Sequence, residues 1–175
     1  MARLLSAMQA KNLDSSKCSP EKRLACNGRP LLAPTEFQED DLLYRSFSDD
    51  DLDDHGKLDA HSISMPDLSC NWGRFSVPAD VRLRVGASSK HGCYSIQVAD
   101  VRYRSFANAI HDPLCCCELE NYSHVEVRTL EEGESFVSIP PKARKKSKSK
   151  AGKALRAEWR ANLCINLQRI IEPGA

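Results

Sequence analysis

A two-residue alternation of apolar and polar side chains recurs along this chain. In "VRLRV" (81–85), Val81, Leu83 and Val85 fall on one side and Arg82 and Arg84 on the other, which predicts a half-buried strand. "CYSIQVADVRYRSF" (93–106) puts Tyr94, Ile96 and Val98 on one face and predicts the central strand of the domain. "SHVEVRTL" (123–130) predicts a further strand with Val125 and Val127 inward. "KLDAHSISM" (57–65) alternates more weakly, with Asp59, His61, Ile63 and Met65 sharing a face. "LLYRSF" (42–47) predicts a short strand, and "ESFVSIP" (134–140) an edge strand ended by Pro140 and Pro141. Between these, "PDLSCNWGRFSVP" (66–78) is rich in turn residues and predicts a loop.

The period changes near the C-terminus. In "ALRAEWRANLCINLQRII" (154–171), Leu155, Trp159, Leu163, Leu167 and Ile171 recur every four residues, with Ile170 beside them. That spacing predicts an amphipathic helix, closed by Pro173 and Gly174. Short spacings between strands favour hairpins over crossover helices. The predicted fold class is therefore α+β: a small, mainly antiparallel sheet of four to six strands with a C-terminal amphipathic helix. Four regions follow: a loose N-terminal leader over 1–35, a β-rich core over 36–140, a basic linker over 141–153, and the helix over 154–172, packed on the core or on a partner.

Composition narrows the class. Of 175 residues, 41% are hydrophobic and 28% charged, ordinary globular values, and a net charge of +1 gives no global attraction to nucleic acid or membrane. No apolar run reaches the ~18–20 residues of a membrane span, and the first residues lack a secretory apolar core. The expectation is a soluble cytoplasmic protein whose eight cysteines are reduced and mostly buried.

Charge is strongly segregated. Residues 35–54 hold nine carboxylates against one arginine, without the glycine and spaced oxygen ligands of an EF-hand. Residues 140–153, "PPKARKKSKSKAGK", hold seven Lys and Arg and no acid. Arg144, Lys145, Lys146, Lys148 and Lys150 are candidate contacts for phosphate or an acidic partner, and 142–153 would reach nucleic acid through its backbone, since no aromatic offers a base a stacking surface.

Catalytic chemistry is less legible. No Gly-x-Ser-x-Gly elbow, Walker loop or dinucleotide fingerprint occurs. In "HDPLCCCELENYSHVEVR" (111–128), His111, Cys115, Cys117 and His124 count to four ligands, but adjacent cysteines lack the Cys-x-x-Cys turn of structural zinc, so Cys115, Cys116 and Cys117 read as thiols of a loop or strand edge. His124 and Glu126, two apart on a strand, share a face with Arg128 and could bind a divalent metal or polarise a water. Asp59 and His61 repeat that spacing. Two functions are therefore expected. The first is a non-catalytic accessory or binding protein engaging a protein or acidic partner through the helix and the basic linker. The alternative is a metal-dependent hydrolase or nuclease, with His61, His111 and His124 as metal ligands and Glu126 and Asp59 as catalytic carboxylates.

Overall fold

The computed structural model describes residues 29, 31–64, 67–84, 91–116, 119–130 and 149–173. Six strands form one antiparallel sheet: β1 Leu42–Phe47, β2 Asp67–Trp72, β3 Gly92–Gln97, β4 Ala107–His111, β7 His124–Thr129 and β8 Gln168–Ile171. Their order is β4-β7-β2-β1-β3-β8. A separate hairpin pairs β5, Leu114–Cys116, with β6, Leu119–Asn121. The described residues also hold three α-helices, α1 Pro78–Arg84, α2 Val98–Val101 and α3 Lys150–Asn166, and several short 3-10 turns. The α+β class, the antiparallel sheet and the C-terminal helix stand as predicted.

One sheet face carries the main core. Leu43, Leu68, Cys70, Trp72, Ile96, Val125 and Val127 are buried there, and α3 lays Trp159 and Leu163, both 0% exposed, onto the same cluster. Phe37 stacks on Trp72 with ring centroids 3.8 Å apart. Burying side chains of this size supplies the main driving force for folding. The helix thus belongs to the core. Its 0%-exposed residues are not a free docking stripe. Among the described residues, no helix is long and apolar enough to cross a membrane.

Several predicted elements differ from those found, each for a local reason. Residues 81–84 lie in α1, not in a strand. Pro78 suits a first helical turn, and the Asp80 carboxylate accepts from the Val77 N–H at 2.9 Å and the Ser76 hydroxyl at 3.1 Å, capping the start. α1 packs over β1 and β3 on the face opposite the main core, where Cys93 and Ser95 are buried. Residues 67–72, read as loop, form β2 because β1 and β7 flank them and bury Leu68, Cys70 and Trp72. Residues 57–64, the described part of the strand read over 57–65, do not form a strand. The Asp59 carboxylate accepts from the His61 N–H at 2.8 Å and starts a 3-10 turn over Ala60–Ser62.

The strand read over 93–106 stops at Gln97, gives way to α2, and lies one place from the sheet edge, not at its centre. The helix read over 154–171 runs from Lys150 to Asn166. Ser149 caps it, its hydroxyl accepting from the Gly152 N–H at 3.0 Å. Leu167 is extended, and Gln168–Ile171 turn back to pair with β3. That pairing needs Gly92: a Cβ there would stand 2.5 Å from the Ile171 carbonyl oxygen and 2.6 Å from the Phe47 ring. The leader (apart from 29 and 31–35), the strand read over 134–140, Arg144, Lys145, Lys146, Lys148 and Cys117 lie outside the described residues.

Cys164, on the last turns of α3, has its thiol pushed up to about 11, mainly by burial and then by the Asp59 charge. At pH 8 it would hold about a hundredfold less thiolate than an ordinary cysteine. Alkylation with iodoacetamide at that pH, read by peptide mapping, should label Cys164 far more slowly in the folded protein than in urea. Equal rates would mean that the thiol is not shielded.

Candidate metal centre

The strand over β7 sends Val125 and Val127 into the main core, so its alternate residues face the other way. Pairing of β7 with β2 sets three polar residues of each strand opposite one another: Asn71 against His124, Ser69 against Glu126, and Asp67 against Arg128. On the other flank, β4 ends at His111, and the next residue is clasped to β7. The Asp112 N–H donates to the His124 carbonyl at 3.1 Å, and His124 Nδ1 lies 2.5 Å from the Asp112 carbonyl oxygen. Register and clasp together bring Ser69, Asp112, His124, Glu126 and Arg128 into one group.

His124 is the hub and is 1% exposed. Its Nδ1 faces a carbonyl and therefore carries hydrogen, an assignment made from the network. Nε2 lies 2.7 Å from Ser69 Oγ and 3.1 Å from Glu126 Oε1, while Ser69 Oγ and Glu126 Oε1 are 3.3 Å apart. The three atoms form a triangle in which Nε2 either carries a proton and donates to the Glu126 carboxylate, or is an acceptor like the carboxylate oxygen beside it. Ser69 has one hydroxyl hydrogen and can serve only one of them. Two acceptors this close repel unless a positive charge, a proton or a metal ion, lies beside both. Ligand atoms held ~2.1 Å from a metal at angles of ~90–110° stand roughly 3.0–3.4 Å apart, and the Nε2–Oε1 edge of 3.1 Å falls in that range.

Ligand atoms of Asp112, His124 and Glu126 all lie within 4.8 Å of one another. Arg128, 5% exposed, flanks the group: Nη2 is 3.4 Å from Asp112 Oδ2 and Nε 3.4 Å from Asp67 Oδ1. The group thus sets the carboxylates of Asp67, Asp112 and Glu126 against one guanidinium, a balance that favours a cation. The carboxylate side chains of Glu126 and Asp112 are 18% and 17% exposed, so this edge reaches solvent while the imidazole does not. The polar surface continues along β2, where Asn71 accepts from Asn121 Nδ2 at 2.9 Å and donates to Ser76 Oγ at 3.3 Å.

The other predicted ligands lie elsewhere. His111 pairs with Val125 and shares its core-facing side. Both ring nitrogens are engaged, Nδ1 accepting from the Leu32 N–H at 3.0 Å and Nε2 meeting the Tyr122 carbonyl at 2.7 Å. Its ring packs edge-on to Tyr122 and Trp72. Burial holds its pKa below the usual histidine range, against the opposing pull of the Tyr122 carbonyl. His111 is a satisfied core histidine. His61 is exposed, and Asp59 is occupied as a turn cap against α3, on the apolar side of the sheet. Neither meets His124. Cys115 and Cys116 sit in the β5–β6 hairpin. Sequence spacing paired His124 with Glu126 and set Arg128 beside them. It missed Ser69 and Asp112, which only the strand register delivers. No known protein family matches this chain, nor does any curated protein or solved structure.

Proposed function

We propose that Asp112, His124 and Glu126 hold a divalent metal ion and that the protein is a metal-dependent hydrolase. The observation that supports this reading is the convergence of one ligand atom each from Asp112, His124 and Glu126 within 4.8 Å of one another, in a carboxylate-rich group. Mixed imidazole and carboxylate donors suit zinc or manganese. Bound there, the metal would lower the pKa of a coordinated water and polarise a carbonyl or phosphoryl oxygen. The chain's own residues have separate tasks. The Asp112 carbonyl fixes the His124 tautomer through Nδ1, which leaves Nε2 as the ligand. With Nε2 on the metal, Ser69 would donate to a Glu126 carboxylate lone pair that the metal leaves free, and the partly exposed carboxylates open the centre to substrate.

Calorimetric titration of chelator-stripped protein with zinc and manganese tests the site. One equivalent should bind, and an Asp112→Asn/Glu126→Gln double variant should lose about a hundredfold or more in affinity. No stoichiometric binding by the folded wild-type protein overturns the proposal. Metal binding without turnover of carboxyl or phosphate esters keeps the site and overturns the hydrolase.

A second reading, an accessory protein that docks through its C-terminal segment, draws support from Ile165 and Ile170, 81% and 44% exposed beside the edge strand β8. Lys150, the one described member of the predicted phosphate contacts, stands exposed on the first turn of α3. In that reading 142–153 supplies the attraction for an acidic partner, whether protein or nucleic acid. A polyanion titration would show affinity falling steeply as salt rises.

A further inference from the structure

The atoms around His124 also carry a chemistry that needs no metal. Ser69 stands within β2, directly opposite Glu126 of β7. Its hydroxyl oxygen lies 2.7 Å from His124 Nε2 and 3.3 Å from Glu126 Oε1. The shorter contact directs the hydroxyl hydrogen to Nε2 whenever that nitrogen carries none of its own. The other ring nitrogen, Nδ1, lies 2.5 Å from the Asp112 carbonyl oxygen and keeps its hydrogen there. Two hydrogen bonds therefore run in series, from the Ser69 hydroxyl to Nε2 and from Nδ1–H to the Asp112 carbonyl.

A nucleophile, a base and a group that orients the base are the three parts of an activated serine. Here the orienting group is a main-chain carbonyl. The negative charge that would stabilise an imidazolium comes from Glu126, whose Oε1 is 3.1 Å from Nε2. No Gly-x-Ser-x-Gly turn is involved, because nucleophile and base come from neighbouring strands. The backbone at the serine is firmly held. Leu68 and Cys70, on either side of it, are 0% and 1% exposed, and Arg45 Nη1 donates to the Ser69 carbonyl at 2.9 Å. Ser69 and Glu126 are only half-buried, so a reactant meets the hydroxyl from their side.

We infer that Ser69 is a nucleophile, with His124 as its general base, toward carboxylic esters that have a good leaving group. Nε2 takes the hydroxyl proton as Oγ bonds to the carbonyl carbon. The bond from that carbon to the leaving oxygen then breaks, and the leaving oxygen takes the proton from Nε2. The products are acyl-Ser69 and an alcohol. Water repeats the sequence on the acyl-serine and returns Ser69 and a carboxylic acid. General-base help is worth about 10²–10⁴-fold, which suits activated esters rather than amides. The Nε2 lone pair serves either a metal or the hydroxyl proton. This activity therefore belongs to the metal-free protein and does not rest on the metal-dependent reading.

The test uses the full chain in excess chelator, treated with diisopropyl fluorophosphate and analysed by intact mass and peptide mapping. The folded protein should gain one adduct, at Ser69, and the same chain in urea should not. His124→Gln should slow the labelling about a hundredfold. Hydrolysis of p-nitrophenyl acetate in chelator should fall to background in Ser69→Ala. Absence of an adduct at Ser69 in the folded wild-type protein overturns the inference. So does labelling of Ser69 that is as fast in urea, labelling of a folded His124→Gln protein at the wild-type rate, or ester hydrolysis unchanged by Ser69→Ala. The urea comparison uses the wild-type chain alone and decides the matter even where His124→Gln does not fold. Calorimetric metal titration judges the metal centre by itself, so either reading can fail without the other.

Discussion

Trp159→Ala should remove a large share of the stability of the fold. The indole is 0% exposed, its Nε1–H donates to the buried Val101 carbonyl at 3.0 Å, and its ring meets Phe106 edge-on at 6.4 Å between centroids. Truncating a buried tryptophan costs about 3–5 kcal/mol through lost transfer energy and the cavity left behind. Domains of this size are typically stable by about 5–15 kcal/mol, so one substitution would consume a large share. The loss is also concentrated. Trp159 joins α3 to α2 and, with Leu163, to the face of the sheet, so its removal loosens the helix from both. Thermal and urea unfolding followed by circular dichroism should show a greatly lowered midpoint, with dye binding to exposed apolar surface before the main transition. Ile165→Ala, at an 81% exposed position two turns along, should stay within about 0.5 kcal/mol of wild type. If Trp159→Ala unfolds at the wild-type midpoint, α3 is not part of the core.

The contrast between these two positions shows what the sequence could and could not reveal. Trp159 and Leu163 are four apart on a helical stripe, which was legible from periodicity alone, whereas whether the core or a partner covers that stripe was not. Val125 and Val127 were legible in the same way, and β1 was found at Leu42–Phe47 as read. Failures occurred where a local contact outweighed pattern. Alternation at 81–85 imitates a strand, but Pro78 and the Asp80 cap nucleate a helix first. Asp59 alternates with His61, yet its carboxylate bonds the backbone two residues on and bends the chain. Ile170 and Ile171 continue the helical stripe of α3, but the free edge of β3 offers backbone partners that turn them into β8.

The site was half legible for a related reason. Residues two apart on one strand share a face whatever that strand pairs with, so His124 and Glu126 were found together. Ser69 and Asp112 join them only through register, with β2 on one side and the end of β4 on the other. His111 shows the converse. Its neighbour Asp112 reaches the polar face, but His111 itself alternates into the core, where Leu32 and Tyr122 satisfy it. A single sequence does not encode register in any short motif, because it depends on which strands meet.

Arg128→Met should be the second most damaging change, and metal should repair it in part. The guanidinium is 5% exposed and separates Asp67 from Asp112, 3.4 Å from a carboxylate oxygen of each. Methionine keeps much of the side-chain volume and removes the charge, leaving two carboxylates without their common cation. Removing one partner of a buried ion pair costs about 3–5 kcal/mol, and the lower end applies because the Asp67 and Asp112 side chains are 30% and 17% exposed. Arg128→Lys retains the charge but not the two-sided reach of the guanidinium, so it should fall between Met and wild type. If Asp112 is a metal ligand, a bound divalent ion replaces part of the missing positive charge. Saturating zinc or manganese should then raise the unfolding midpoint of Arg128→Met by more than it raises that of wild type. The order should reverse for Asp112→Asn, which needs less neutralisation and offers a poorer ligand. Equal metal effects on wild type and Arg128→Met would separate the guanidinium from the centre and leave Arg128 as a structural bridge between β2 and the end of β4.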